Sequence, residues 1–127
     1  MLAPLPSPVV HLELHTGDLE RARAFVSKLL HWREEHVDTA SGSYTALEFG
    51  SSLGGGIVSC GLQPAMWLPY VEVESVHERA AKALEMGATL LLSPCEGPAG
   101  WRSVISTPQA GQIALWQPKE WHDDRRA

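Results

Sequence analysis

Cysteine is scarce in this 127-residue chain, with only Cys60 and Cys95. Two thiols far apart in sequence do not make a disulfide framework, and neither sits in a C-x-x-C pair. Both read as small buried side chains. Basic residues are also few: ten Lys and Arg against fifteen Asp and Glu leave a net charge of −5. Without a basic stripe, nucleic acid is not an expected partner. No run approaches the ~20 apolar residues of a membrane span, so a membrane is not expected either. Residues 1–8 hold three prolines and no charged side chain, whereas a secretory signal needs a basic start and a longer apolar run. These absences predict a cytoplasmic protein. One chain of this length forms a single domain with its own core, without cross-links.

What is present is pattern. Val10, Leu12 and Leu14 alternate with His11, Glu13 and His15, the period of a strand with one face on a core. Thr16-Gly17-Asp18 breaks the alternation, and Asp18 is a fair N-cap. From Leu19 the period becomes helical, with Leu19, Ala22, Phe25, Val26, Leu29 and Leu30 on one stripe. His31 near its end suits a helix C-terminus. Strand-like runs follow at 32–37, 44–49 and 55–60, so residues 9–60 read β, α, β, β, β. Residues 67–118 repeat the order. Leu68–Glu74 alternates, Ser75-Val76-His77-Glu78 has the S-x-x-E form of a capping box, and Gly87 ends the helix. Strands are then expected at 89–92, 101–106 and 112–116. Glu20-Arg21-Ala22 recurs as Glu78-Arg79-Ala80 at the same point of the second unit. The pattern predicts an α+β fold of two tandem βαβββ modules in a curved, mixed sheet with helices on its outer face. The polar stretch from Glu120 to Ala127 is expected to fray.

The chain resembles the vicinal oxygen chelate superfamily, which includes glyoxalase I, bleomycin-resistance proteins and extradiol dioxygenases. The likeness is carried by Thr16-Gly17-Asp18-Leu19-Glu20-Arg21-Ala22 with Phe25, and by Tyr70-Val71-Glu72-Val73-Glu74-Ser75-Val76. Met86-Gly87-Ala88 and Thr107-Pro108-Gln109-Ala110-Gly111 leading to Leu115-Trp116-Gln117-Pro118 complete it. The resemblance implies a cup-shaped cleft, commonly in homodimers. In metal-dependent members it implies ligands on the first and last strand of each module. By position these fall on His11, on Leu68, near Ile57 and on Ala114. One imidazole and three aliphatic side chains do not hold a divalent ion, so the usual metal site and its metal cofactor are not expected, while a divalent metal in an unorthodox arrangement at His11, Glu13 and His15 stays open. Overall the chain resembles the small members usually called glyoxalase-like or bleomycin-resistance-like.

Chemistry-bearing residues cluster on the alternate faces of the strands. His11, Glu13 and His15 share one face, and Tyr70 and Glu72 hold the equivalent positions in the second module. Gln112 and Trp116 follow on the last strand. A carboxylate flanked by imidazoles suits either acid–base chemistry or binding of a polar ligand. Glu13, His11 and Glu72 are the candidates for proton transfer. His15, Tyr70, Trp101, Gln112 and Trp116 are the candidates for ligand contact, with His15, last on its strand, nearest to being plain surface. Such a row could also be the solvated face of an open sheet. Of the five tryptophans, Trp32 and Trp67 are expected to fill core or dimer contacts, while Trp101 and Trp116 border the ligand beside a rim loop at 94–100. Gly54-Gly55-Gly56 lacks the Lys and the helix of a phosphate loop and reads as backbone clearance. His36, His77 and His122 read as surface. The sequence therefore predicts a small-molecule-binding protein without the usual metal. An isomerase- or lyase-type enzyme using Glu13, Glu72 and His11 as acid and base, or as an unorthodox metal site, is the alternative.

Overall fold

A computed structural model of the chain describes residues 5–39, 42–59, 65–97, 99–109 and 111–119. Its elements follow the order β1 (Val9–Thr16), α1 (Leu19–Leu30), β2 (Arg33–Thr39), β3 (Gly42–Glu48), β4 (Gly54–Ser59), β5 (Met66–Glu72), α2 (Val76–Glu85), β6 (Thr89–Glu96), β7 (Gly100–Ser106) and β8 (Gln112–Pro118). This is βαβββ twice, an α+β fold. The chain forms two compact units, one of residues 10–69 and one of residues 1–9 with 70–127. Cys60, His122 and the polar stretch from Glu120 lie outside the described residues.

In the first unit the strands run in the order β2-β3-β4-β1. Parallel pairing sets Leu14 beside Ile57 and Glu13 beside Gly56, and antiparallel pairing sets Ala46 beside Gly56. Side chains of paired residues share a face, so Leu14, Ile57 and Leu47 turn one way, toward Val26 of α1. Asp18 accepts from the Arg21 amide at 3.2 Å and starts α1. His31 ends it in the left-handed region at φ 59°, donating its own amide to the Ser27 carbonyl at 3.0 Å. Arg23 ties the helix to β2 through two hydrogen bonds to Glu34 of 2.8 and 2.5 Å. These bonds raise its guanidinium pKa further above the ordinary value. The apolar stripe of α1 is buried less than its periodicity predicts. Val26 is enclosed, but Phe25, Leu29 and Leu30 are exposed.

In the second unit β5, β8, β7 and β6 are neighbours in that order. Val76 and Ala80 of α2 pack on Val73, Ile105 and Leu115. Ser75 caps the helix by accepting from the Glu78 amide at 3.2 Å, and Gly87 closes it at φ +99°. Gln117 reaches back from β8, its Oε1 accepting from the Val76 amide at 2.9 Å, and so satisfies an orphan donor of the first helical turn. Strand β6 runs on through Pro94 to Glu96 where the sequence predicts a rim loop. Proline is tolerated because β6 is an edge strand, and its pairing with β7 shifts register between Leu90 and Leu92 and again between Leu92 and Cys95. The buried Ser103 hydroxyl donates to the Leu92 carbonyl at 2.8 Å within that irregular stretch. No helix among the described residues is long and apolar enough to cross a membrane.

Candidate functional site

The first unit places its polar row on the sheet face that α1 leaves uncovered. With Leu12 and Leu14 turned to the helix side, the period of two puts His11, Glu13 and His15 on the other. Glu13 sits between the two imidazoles. Its Oε1 lies 2.8 Å from Nε2 of His15 and its Oε2 lies 3.4 Å from Nε2 of His11. Side-chain exposure falls from 30% at His11 to 16% at His15 and 15% at Glu13. His15 is therefore not plain surface, contrary to its position late on the strand. The strand continues to Thr16, and pairing of His15 with Val58 encloses it. Of the three, His11 is the side chain most open to an incoming molecule.

Beside this row β4 carries glycines in place of side chains. Gly54 pairs with His11 and Gly56 with Glu13, and next along lie Glu48 and Ala46. A Cβ on Gly54 would lie 3.3 Å from Nδ1 of His11, so any larger residue there would press on the ring. Gly55, on the opposite face, has a different reason. The Phe49 ring occupies the space a Cβ would take, 2.2 Å from its position. Phe49 in turn contacts Trp32 and Trp67 edge-on, with ring centroids 4.5 and 6.4 Å apart. The two tryptophans thus lie on the helix side, Trp67 partly exposed. Together with Leu12, Leu14, Phe25, Val26 and Leu30 they line an apolar groove of about 620 Å³ on that side, away from the polar row. The glycine run is clearance for two different neighbours, and Ile57, the position nearest an expected ligand, is core at 1% exposure. The residues of β4 that share the face of His11 are Gly54, Gly56 and Val58.

The second unit carries a corresponding face. Tyr70 pairs with Ala114 and Glu72 with Trp116, while Arg102 pairs with Trp116 and Val104 with Ala114. Gln112 shares that face by alternation from Ala114. Trp101 does not. It pairs with Gln117, turns to α2, packs against the core there and meets the His77 ring at 5.2 Å. The ligand contact expected of Trp101 is thus corrected to a helix-packing role, since one residue along a strand reverses the face. Its neighbour Arg102 takes the place on the site face, a residue that the sequence reading passed over. The missed signal was the alternation itself, counted back from Gln112 through the turn. The Arg102 guanidinium donates from Nη1 to the Tyr70 hydroxyl at 3.0 Å, and Tyr70, 6% exposed, stands 6.4 Å from the Trp116 ring.

Trp116 depends on a second glycine. A Cβ at Gly100 would meet the Gln117 carbonyl oxygen at 2.3 Å and the far edge of the Trp116 indole at 2.9 Å. Gly100→Ala is expected to destabilise the protein by about 1–3 kcal/mol, the usual cost of forced overpacking, and to change Trp116 fluorescence. Urea denaturation followed at both tryptophan and far-ultraviolet wavelengths measures this, and wild-type stability would contradict the close approach.

The donor set does not fit a divalent ion at the positions the resemblance expects. Leu68 and Ala114 are buried aliphatic side chains without lone pairs. Among the described residues no three or more His, Cys, Asp or Glu side chains are grouped to hold a metal.

The chain shares its fold with solved structures to which it is 15% identical or less. A hypothetical protein from Bacillus halodurans C-125 superposes with a TM-score of 0.64 at 14% identity, covering 90% of this chain and 96% of that one. Methylmalonyl-CoA epimerase from Mycobacterium tuberculosis superposes at 0.63 and 14% identity, covering 98% and 97%. A 4-hydroxymandelate synthase variant from Streptomyces coelicolor gives 0.57 at 15% identity over 91% of this chain and 43% of its own. No family model matches the sequence, and no curated protein matches it.

Proposed function

We propose that this protein binds a small organic molecule, partly aromatic or polar, on the sheet faces turned away from its helices, and does so without a metal. The observation that carries the reading is the distribution of side chains about each sheet. In both units the helix side is apolar, while the other side bears half-buried polar and aromatic residues beside glycines. A sheet face meant only for water has no need to half-bury a carboxylate between two imidazoles. A thermal-shift screen against oxo-acids, aromatic acids, epoxides and acyl thioesters tests the reading, with hits confirmed by calorimetry and recovered for mass spectrometry. A ligand bound with micromolar affinity and recovered unchanged is the expected result. Prolonged dialysis against EDTA is expected to leave both its affinity and the melting temperature unaltered. A loss of either that zinc, nickel or manganese restores would overturn the metal-free part.

One observation favours a second reading, an isomerase- or lyase-type enzyme. Glu13 is held at 2.8 Å by His15 with the more open His11 on its other oxygen, an arrangement able to take a proton from a carbon acid and pass it on. The fold-level likeness to methylmalonyl-CoA epimerases is an analogy that agrees with it. Deuterium appearing in a recovered ligand after incubation in D2O would establish this reading over simple binding. We extend the proposal to pairing of two copies, on the ground that Phe25 and Leu29 of α1 are 63% and 59% exposed. Sedimentation at micromolar concentration is expected to give twice the 13.9 kDa of one chain, and a monomer at every concentration would refute it.

A further inference from the structure

The helix side of the first unit holds a groove that neither the proposed function nor the fold likeness uses. Leu12 and Leu14 of β1 and Phe25 and Leu30 of α1 line it, together with Trp32 and Trp67. Its volume of about 620 Å³ falls within the roughly 300–1,000 Å³ of small-molecule sites. The lining is almost wholly apolar, yet much of it is open to water. Phe25 is 63% exposed, Leu30 43% and Trp67 38%. Apolar side chains grouped in one exposed concavity mark a binding surface, unlike the same residues scattered singly.

The charges of the groove stand at one end. Asp18 and Arg21 line it where α1 begins, and Leu30 and Trp32 line it where the helix ends. From Arg21 to Leu30 the helix rises about 14 Å, at ~1.5 Å per residue. Asp18 is committed to the cap, its Oδ1 accepting from the Arg21 amide at 3.2 Å. Its Oδ2 lies 3.6 Å from Arg21 Nε, the one ion pair of that guanidinium among the described residues. The Arg21 side chain is 90% exposed, so the donors on both Nη groups stay open to a ligand. Lys28 stands outside the groove, beside Leu29 on a shallower hollow of the same helix.

We infer that the groove takes a linear alkyl carboxylate of medium length, a fatty-acid anion. The carboxylate meets the Arg21 guanidinium, and the chain runs along α1 to Leu30 and the two tryptophans. Charge and shape decide the class. An uncharged chain would leave Arg21 unused, and a short polar anion would leave the apolar walls in water. A concave groove admits one chain, whereas a membrane needs an apolar face that projects. The net charge of −5 also opposes approach to anionic lipid. The site lies apart from the polar row of Glu13 and is additional to the proposed function. Leu29, on the outer hollow, remains available for pairing of two copies.

Calorimetric titration of the full chain with dodecanoate, octanoate, dodecanol and dodecyltrimethylammonium, all below their micelle concentrations, tests the site. Dodecanoate is expected to bind about three- to fivefold more tightly than dodecanol, the scale of one exposed ion pair. It should bind at least tenfold more tightly than octanoate, because the longer chain buries more apolar surface. Arg21→Gln should lower dodecanoate to the affinity of dodecanol, while Lys28→Gln should leave that preference intact. Leu30→Gln should weaken dodecanoate severalfold and octanoate little, since only the longer chain reaches that end. ω-Bromododecanoate should quench tryptophan emission, and Trp32→Phe combined with Trp67→Phe should remove most of the quenching. Arg21, Lys28 and Leu30 are exposed, so their variants should keep the wild-type melting temperature, which separates loss of the site from loss of the fold. Dodecanol or the ammonium binding as tightly as dodecanoate, equal losses in Arg21→Gln and Lys28→Gln, or quenching that survives both tryptophan exchanges would overturn the inference. So would no binding of dodecanoate below millimolar, whether the protein instead cosediments with phosphatidylglycerol vesicles or covers the groove with a second copy. Each of these results leaves the proposed function standing, because that function rests on the face bearing Glu13.

Discussion

Ile57→Ala is expected to destabilise the protein by about 2–5 kcal/mol, the range for truncating a buried aliphatic side chain to a methyl. Ile57 is 1% exposed and lies on β4 between Leu14 of β1 and Thr45 of β3, under Val26 of α1. Few neighbours can move to fill the space. The strands on both sides are held by backbone ladders, and the helix above is fixed by its Arg23–Glu34 link. Val58→Ala, one residue further along the same strand, removes comparable apolar surface from the opposite, half-buried face and is expected to cost well under half as much. The pair tests the register of β4, because a slip of one residue would exchange the two positions. Urea titration of both variants gives the comparison, and equal costs, or a larger cost at Val58, would show that the strand is placed wrongly.

Glu13→Gln is expected to have the largest functional effect of any single exchange. The amide keeps the size of the side chain and can still meet one imidazole as acceptor, but it has no charge and cannot take a proton. Hydrogen bonds to charged groups contribute about 1.5–3 kcal/mol, so affinity for a ligand that contacts this row should fall tenfold or more. If the protein transfers protons, deuterium exchange into the ligand should fall further, by roughly 10²–10⁴-fold, the contribution of a positioned base. Comparing affinity with exchange in the same variant separates the two readings. His15→Asn should reproduce part of either effect, since His15 is the nearer of the two imidazoles at 2.8 Å. Unchanged binding and unchanged exchange in Glu13→Gln would remove the polar row from the site altogether.

The residues that were easy to read are those whose meaning is local. Asp18, Ser75 and Gly87 act within a turn of themselves, and the structure uses them as caps and terminator. The alternation along β1 is likewise local, so the shared face of His11, Glu13 and His15 was legible before any pairing was known. Errors arose where a residue's environment comes from another strand. Trp101 was assigned to the ligand face because it begins a strand near Trp116, yet its pairing with Gln117 turns it to α2. Ile57, the aliphatic residue near the position where the resemblance implies a ligand, is likewise placed in the core by its pairing with Leu14. Pro94 suggested a loop, and only the edge position of β6 with its shifted pairing lets a strand pass through it.

By itself, then, the order of amino acids determined a doubled βαβββ pattern, the helix ends and the polar alternation of the first strand. Those follow from backbone periodicity and from hydrogen bonds a few residues long. Which tryptophan packs on a helix, why three consecutive glycines serve two different neighbours, and the meeting of Arg102 with Tyr70 were decided only in three dimensions. Strand register joins residues tens of positions apart, and a shift of one residue turns every side chain to the other face.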